Sequence, residues 1–210
     1  MSRDNILHKV RTALGRSAGQ PPAPPPEARL RVPEVDLETR LARFSQALEA
    51  LGGKFYRAAS QDDARDYVAA LVDGRSAVAS NSPYLEQCGI TALAGVRSGF
   101  LEEPVLRGLC AVTDFGVTSA DYGLADTGSL VMLSSREEAR MISLLPPVHV
   151  AVLAKECILT GLDELLTVLA LPAEATSSMV LITGPSRTAD IEQILIRGVH
   201  GPGETHVIVV

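Results

Sequence analysis

Gly184, Pro185, Ser186, Arg187 and Thr188 form the segment whose residue types best suit recognition of a small anion. They follow the apolar run 179–183, read as a strand, and the stretch after them predicts a helix over residues 188–197. Open α/β sheets collect ligands where a strand ends beside a helix start. The unpaired N–H groups and positive dipole end of that helix would favour a carboxylate or phosphate. Gly184 would allow close backbone approach, Ser186 offers a hydroxyl, and Arg187 can grip a carboxylate through two parallel hydrogen bonds. The same residues also have a structural reading, with Ser186 or Thr188 capping the helix and Asp190 complementing its first turn. The segment has neither the lysine nor the spacing of a phosphate loop, so nothing points to nucleotide hydrolysis.

A second group, Thr118, Asp121, Asp126, Thr127, Gly128 and Ser129, sets hydroxyls and carboxylates beside glycines. Such a turn could recognise a small polar substrate, with Asp126 as general base or nucleophile. Its residues serve equally as turn formers that bond their own backbone, and no metal set is assigned to them. His200, in the segment GVHGPGE, could deliver a proton near neutral pH, or be a surface residue after a helix whose glycines cap and turn the chain. Arg140, in EEAR ahead of SLLPPVH, could hold a ligand or pair with a neighbouring carboxylate. Cys88, Cys110 and Cys157 lie far apart without Cys-x-x-Cys spacing, which fits neither a disulfide framework nor an iron–sulfur or zinc set. No cofactor is evident.

These residues need a scaffold, and 210 residues suffice for one core. With four Phe, four Tyr and no Trp, that core is aliphatic and suits parallel strands covered by helices. Residues 1–15 predict a helical arm capped by Ser2, with Ile6, Val10 and Leu14 on one stripe; 16–34 predict a proline-rich linker, and 35–210 an α/β domain. Within that domain, helices are expected at 37–51, after Ser60, at 162–171 and at 188–197. Strands are expected at 55–58, 76–80, 90–94, 109–113, 129–133, 149–153, 179–183 and 206–210. The alternation implies a mostly parallel open sheet with helices on both faces. A net charge of −6 without a basic stripe argues against nucleic acid as a partner. No signal-peptide pattern or bilayer-length apolar run is present, so a cytoplasmic protein is expected.

Four segments stand in a telling order: GVTSADYGLADTGSLVML from Gly116, EARMISLLPPVH from Glu138, TGPSRTADIE from Thr183 and GVHGP from Gly198. Together they resemble the lactate-utilisation protein C (LutC/YkgG) family, the LUD domain. The resemblance is close in the C-terminal half and one of layout in the N-terminal half. Asp126 stands where the family carries glutamate and Ser129 where it carries threonine, so the carboxylate is one methylene shorter. The resemblance implies a fold similar to the ribose-phosphate isomerase, glucosamine-phosphate deaminase and CoA-transferase superfamily. It also implies a part in a three-component system oxidising L-lactate to pyruvate, alongside iron–sulfur oxidoreductase subunits. The expectation is a non-redox accessory subunit that binds a small carboxylate or organises those partners. In that picture Arg187 and the backbone at Gly184 hold the anion, Asp126, Thr127 and Ser129 line the facing wall, and His200 sits at the rim. A stand-alone enzyme acting on a sugar phosphate or acyl thioester, and a ligand-free scaffold, stay open as alternatives.

Overall fold

The computed structural model describes residues 2–17, 19, 32–99, 101–169, 172, 176–189 and 195–210, with backbone alone at 189, 195 and 196. In chain order the first elements are α1 (Arg3–Ala13), α2 (Leu37–Ala50), β1 (Lys54–Arg57), α3 (Gln61–Val72), β2 (Ala77–Ala79), α4 (Pro83–Gln87), β3 (Val96–Arg97) and α5 (Glu103–Val112). They continue with β4 (Phe115–Ser119), β5 (Tyr122–Leu124), β6 (Ser129–Leu133), α6 (Met141–Leu144), β7 (Val148–Leu153), β8 (Ile158–Leu159) and α7 (Leu162–Val168). The last are β9 (Met179–Ile182), β10 (Arg187–Ala189), β11 (Leu195–Arg197) and β12 (Glu204–Val209). Ser2, Asp36 and Ser60 accept hydrogen bonds from the backbone N–H of Asn5, Thr39 and Asp63, so three helices start where short polar side chains satisfy their free donors.

Six strands form the main sheet in the order β1-β12-β7-β4-β2-β3, every pair parallel. Alternate side chains reach opposite faces. On one face Phe115, Val117, Val150, Val152 and Ile208 pack beneath Ala64, Val68 and Val72 of α3 and Leu85 of α4. On the other, Ala151, Leu153, Val207 and Val209 meet Leu41, Phe44 and Leu48 of α2 together with Leu130 and Met132 of β6. Phe44 and Leu48 are fully or almost fully buried, and each such side chain contributes about 1.5–3 kcal/mol. The fold class is therefore α/β with a parallel central sheet, as expected. The second face also carries a four-stranded sheet in the order β8-β5-β6-β9, which hydropathy patterning does not distinguish from the main one.

Several expectations need correction. Residues 109–113, expected as a strand, belong largely to α5, where Pro104 opens the first turn and Leu106, Leu109 and Cys110 recur at helical spacing against Val78 and Ile142. Residues 90–94 hold a 3-10 turn at Ile90–Ala92 rather than a strand. The helix expected over 188–197 is absent from the described part of that stretch: Arg187, Thr188 and Ala189 pair antiparallel with Arg197, Ile196 and Leu195. Backbone pairing across the two strands, set by tertiary context, overrides the helical spacing of the sequence. The proline-rich run 21–26 lies outside the described residues, as do residues 170–171 of the helix expected to end at Pro172.

Candidate functional site

The chain turns after β9 at Gly184, which takes φ 75° and lies so close to α2 that a Cβ would sit 3.0 Å from Leu51 Cβ. Its freedom is therefore needed for the turn and for packing. The segment that follows is tied to the loop before β12: Ser186 N–H donates to the Pro202 carbonyl at 2.8 Å and Gly198 N–H to the Ser186 carbonyl at 3.0 Å. Gly203 N–H in turn donates to the Pro147 carbonyl at 3.0 Å, fixing that loop to the start of β7. Between these loops and α6 lies a cleft of about 320 Å³, lined by residues 180–187, His200, Gly201 and Pro202 over a floor of His149 and Thr205. His149 and Thr205 are register partners near the amino ends of β7 and β12, so the cleft opens at the end of the main sheet opposite the carboxyl ends of its strands.

His149 is a site residue that the sequence reading did not single out, since a histidine in an apolar run carries no spacing signal. It is fully buried, its Nε2 lies 2.8 Å from Thr118 Oγ1, and its Nδ1 has no hydrogen-bond partner among the described residues. Burial pushes its pKa down to about 4, so the ring is neutral at physiological pH. A neutral imidazole with one nitrogen engaged keeps the other for donation or acceptance, according to tautomer. His200, by contrast, is exposed on the cleft rim.

The anticipated site residues divide into separate places. Gly184, Pro185, Ser186, Arg187 and His200 share the cleft, while Thr188 continues into β10. The helix start that was to supply the anion-binding amides is not there, because β10 occupies its position. Arg187 also lines the cleft wall, yet its Nη2 reaches to 3.0 Å from where a Gly52 Cβ would stand, and Arg197 Nη2 comes within 3.3 Å of the same point. Both guanidinium groups thus gather at the C-terminal end of α2, where the helix dipole favours cations. Asp126 and Thr127 are exposed on the β5–β6 turn, and the Asp126 carboxylate rests against Gly161 rather than lining the cleft. Thr127 Oγ1, Ser129 Oγ and Thr183 Oγ1 form a hydroxyl chain with steps of 2.8 Å, which links that turn to the cleft edge at Thr183. Gly128, at φ 64°, packs on the α2 backbone. Arg140 stands apart, donating to Ser178 Oγ at 3.2 Å. Asp121 accepts from Leu133 N–H at 2.7 Å, and burial raises its pKa. Among the described residues no cluster of three or more His, Cys, Asp or Glu is placed to hold a metal, and no helix is long and apolar enough to cross a membrane.

Comparison with known proteins agrees with this architecture. The LUD domain family matches residues 41–210. Lactate utilization protein C of Halalkalibacterium halodurans is 32% identical over 157 residues, covering 71% of this chain and 68% of that protein. The uncharacterized protein YkgG of Escherichia coli K12 is 43% identical over 91 residues, 41% of this chain and 39% of that protein. Lactate utilization protein C of Bacillus subtilis 168 is 35% identical over 99 residues, 45% and 41% respectively. A crystal structure of a DUF162 family protein from Deinococcus radiodurans superposes with a TM-score of 0.65 at 17% identity, covering 84% of this chain and 99% of that one, which shows a shared fold. The chain therefore belongs to the LUD-domain family, in its lactate-utilisation protein C (LutC/YkgG) branch.

Proposed function

We propose that this chain is a non-redox component of an L-lactate-oxidising system and that it binds a small carboxylate in the cleft between residues 183–187 and 200–202. The observation that carries the reading is convergence: the loops at 183–187 and 200–202 are hydrogen-bonded together over a buried, neutral His149 and a buried Thr205. Arg187 is among the residues lining the cleft and is the cation assigned to the ligand's carboxylate. Thr183 and Ser186 add hydroxyls that suit the 2-oxygen of a hydroxy or keto acid. The names of the relatives place them in lactate utilisation, and the three scattered cysteines of this chain fit a subunit that leaves electron transfer to iron–sulfur partners. The carboxylate of Asp126 lies off the cleft, which counts against a stand-alone enzyme built on it.

His200 is the natural reporter because it is exposed at the rim. L-lactate or pyruvate is expected to slow carbethoxylation of His200, read by mass spectrometry of its peptide. That protection should vanish in Arg187→Ala and persist in Asp126→Asn. A His200 reactivity that neither acid alters would defeat the assignment.

A further inference from the structure

The cleft between residues 183–187 and 200–202 has an apolar side that recognition of a carboxylate leaves unused. That side is α6, a single turn whose residues Ile142 and Ser143 are buried while Leu144, which lines the cleft, is 40% exposed. The turn is held hard against the main sheet, since a Cβ on Gly116 of β4 would run into the Ile142 carbonyl oxygen. So close an approach fixes where Leu144 stands. The same cleft is lined by the half-buried Val180 and Ile182, which alternate with Leu181 along β9 and so share one face of that strand. Buried Pro185 and Pro202 add to the apolar lining.

Leu144 also borders a second hollow of about 540 Å³, together with Met141 and the 44% exposed Leu145. Met141, Leu144 and Leu145 stand at helical spacing on one face of the turn. An apolar strip therefore continues from the cleft along α6. The cleft itself, at about 320 Å³, holds roughly ten times the volume of one liquid water molecule. Lactate would fill little of it, and its one methyl group cannot cover Leu144, Val180 and Ile182 together. Apolar side chains left open within a ligand cleft mark where an apolar part of the ligand rests.

We infer that this cleft favours 2-hydroxy acids, and their 2-oxo counterparts, with an aliphatic side chain longer than the methyl of lactate. The chain lies along Leu144 and continues toward Met141 and Leu145. The inference rests on the carboxylate reading above: Arg187 holds the acid end, and the strip along α6 takes the other. Because different elements hold the two ends, their contributions to affinity are separable.

Calorimetric titration of the full chain with L-lactate, L-2-hydroxybutyrate and L-2-hydroxyhexanoate tests it. Each methylene removed from water tightens binding up to about fourfold, so 2-hydroxyhexanoate should bind at least about tenfold more tightly than lactate. Leu144→Ser should cut that ratio to about twofold, whereas Arg187→Ala should weaken both acids and leave the ratio intact. Leu145→Ser should reduce the gain with 2-hydroxyhexanoate but not with 2-hydroxybutyrate, whose chain is too short to reach it. Both leucines are exposed, and an unchanged circular dichroism spectrum checks that each variant folds. Equal, Arg187-dependent affinities for the three acids in the wild-type chain would overturn the inference and leave the carboxylate reading standing. A gain with chain length that survives Leu144→Ser would also overturn it, and failure of all three acids to bind would overturn both.

Discussion

His149 and Glu138 are both buried, each carries one polar atom without a partner among the described residues, and burial drives both toward their neutral forms. The consequences for stability run in opposite directions with pH. His149 has a folded pKa of about 4 against 6.5 for a free histidine, so the unfolded chain takes up the proton first and stability is lost as pH falls from 6.5 toward 4. That span corresponds to a loss on the order of 3 kcal/mol. Urea unfolding between those pH values should therefore show a shallower decline in His149→Gln than in wild type. Equal slopes would mean the imidazole is already protonated when folded. Glu138 has a folded pKa above the 4.5 of a free glutamate, so its contribution is lost as pH rises from 4.5 upward. Glu138→Gln should remove that part of the decline, whereas a mutant curve parallel to wild type would show an ordinary carboxylate. Neither residue announces itself in sequence. His149 sits in an apolar strand and Glu138 in a charged connection, and only the placement of Thr118, Ser80 and Ser119 around them gives them meaning.

Elements are positioned by close backbone approaches that patterning only partly reveals. A Cβ on Gly128 would run into the Leu48 backbone nitrogen of α2 and lie 2.8 Å from the Ala47 carbonyl carbon, at φ 64°. Gly74 has nearly the same conformation, φ 67°, with open space around it. Gly74→Ala should therefore cost only the conformational penalty of about 1–2 kcal/mol. Gly128→Ala adds the displacement of α2 and should cost several kcal/mol more, roughly at the large end of single substitutions. Chemical denaturation of the pair separates the terms, and equal losses would show that α2 does not press on the turn. The helices at 37–50 and 61–72 were legible because a polar cap precedes an apolar stripe that includes Leu41, Phe44 and Leu48 in one and Ala64 and Val68 in the other. The hairpin of β10 and β11 was not, since its residues also fit helical spacing and their pairing is set by partners across the strand. The antiparallel pairing matters for the site, because two hydrogen-bonded loops stand after Gly184 in place of a helix start.

At the scale of the whole molecule, a parallel aliphatic core was readable from runs of Val, Ile and Leu, but strand order was not, as hydropathy carries no information about neighbours. The α1 helix has no buried residue and leaves Ile6, Val10 and Leu14 about half exposed or more. Removing residues 2–17 should leave the melting temperature of the remainder unchanged, and a clear drop in calorimetry would reveal packing on the domain. The central claim, that this LUD-domain chain serves lactate oxidation as a carboxylate-binding, non-redox component, is tested most directly by reconstitution. Lactate-dependent electron transfer would be measured with the proposed iron–sulfur partners alone, with this chain added, and with Arg187→Ala added. The wild-type chain is expected to restore a rate that is low without it, and Arg187→Ala to fall well short. Electron transfer undiminished when the chain is left out would contradict the account.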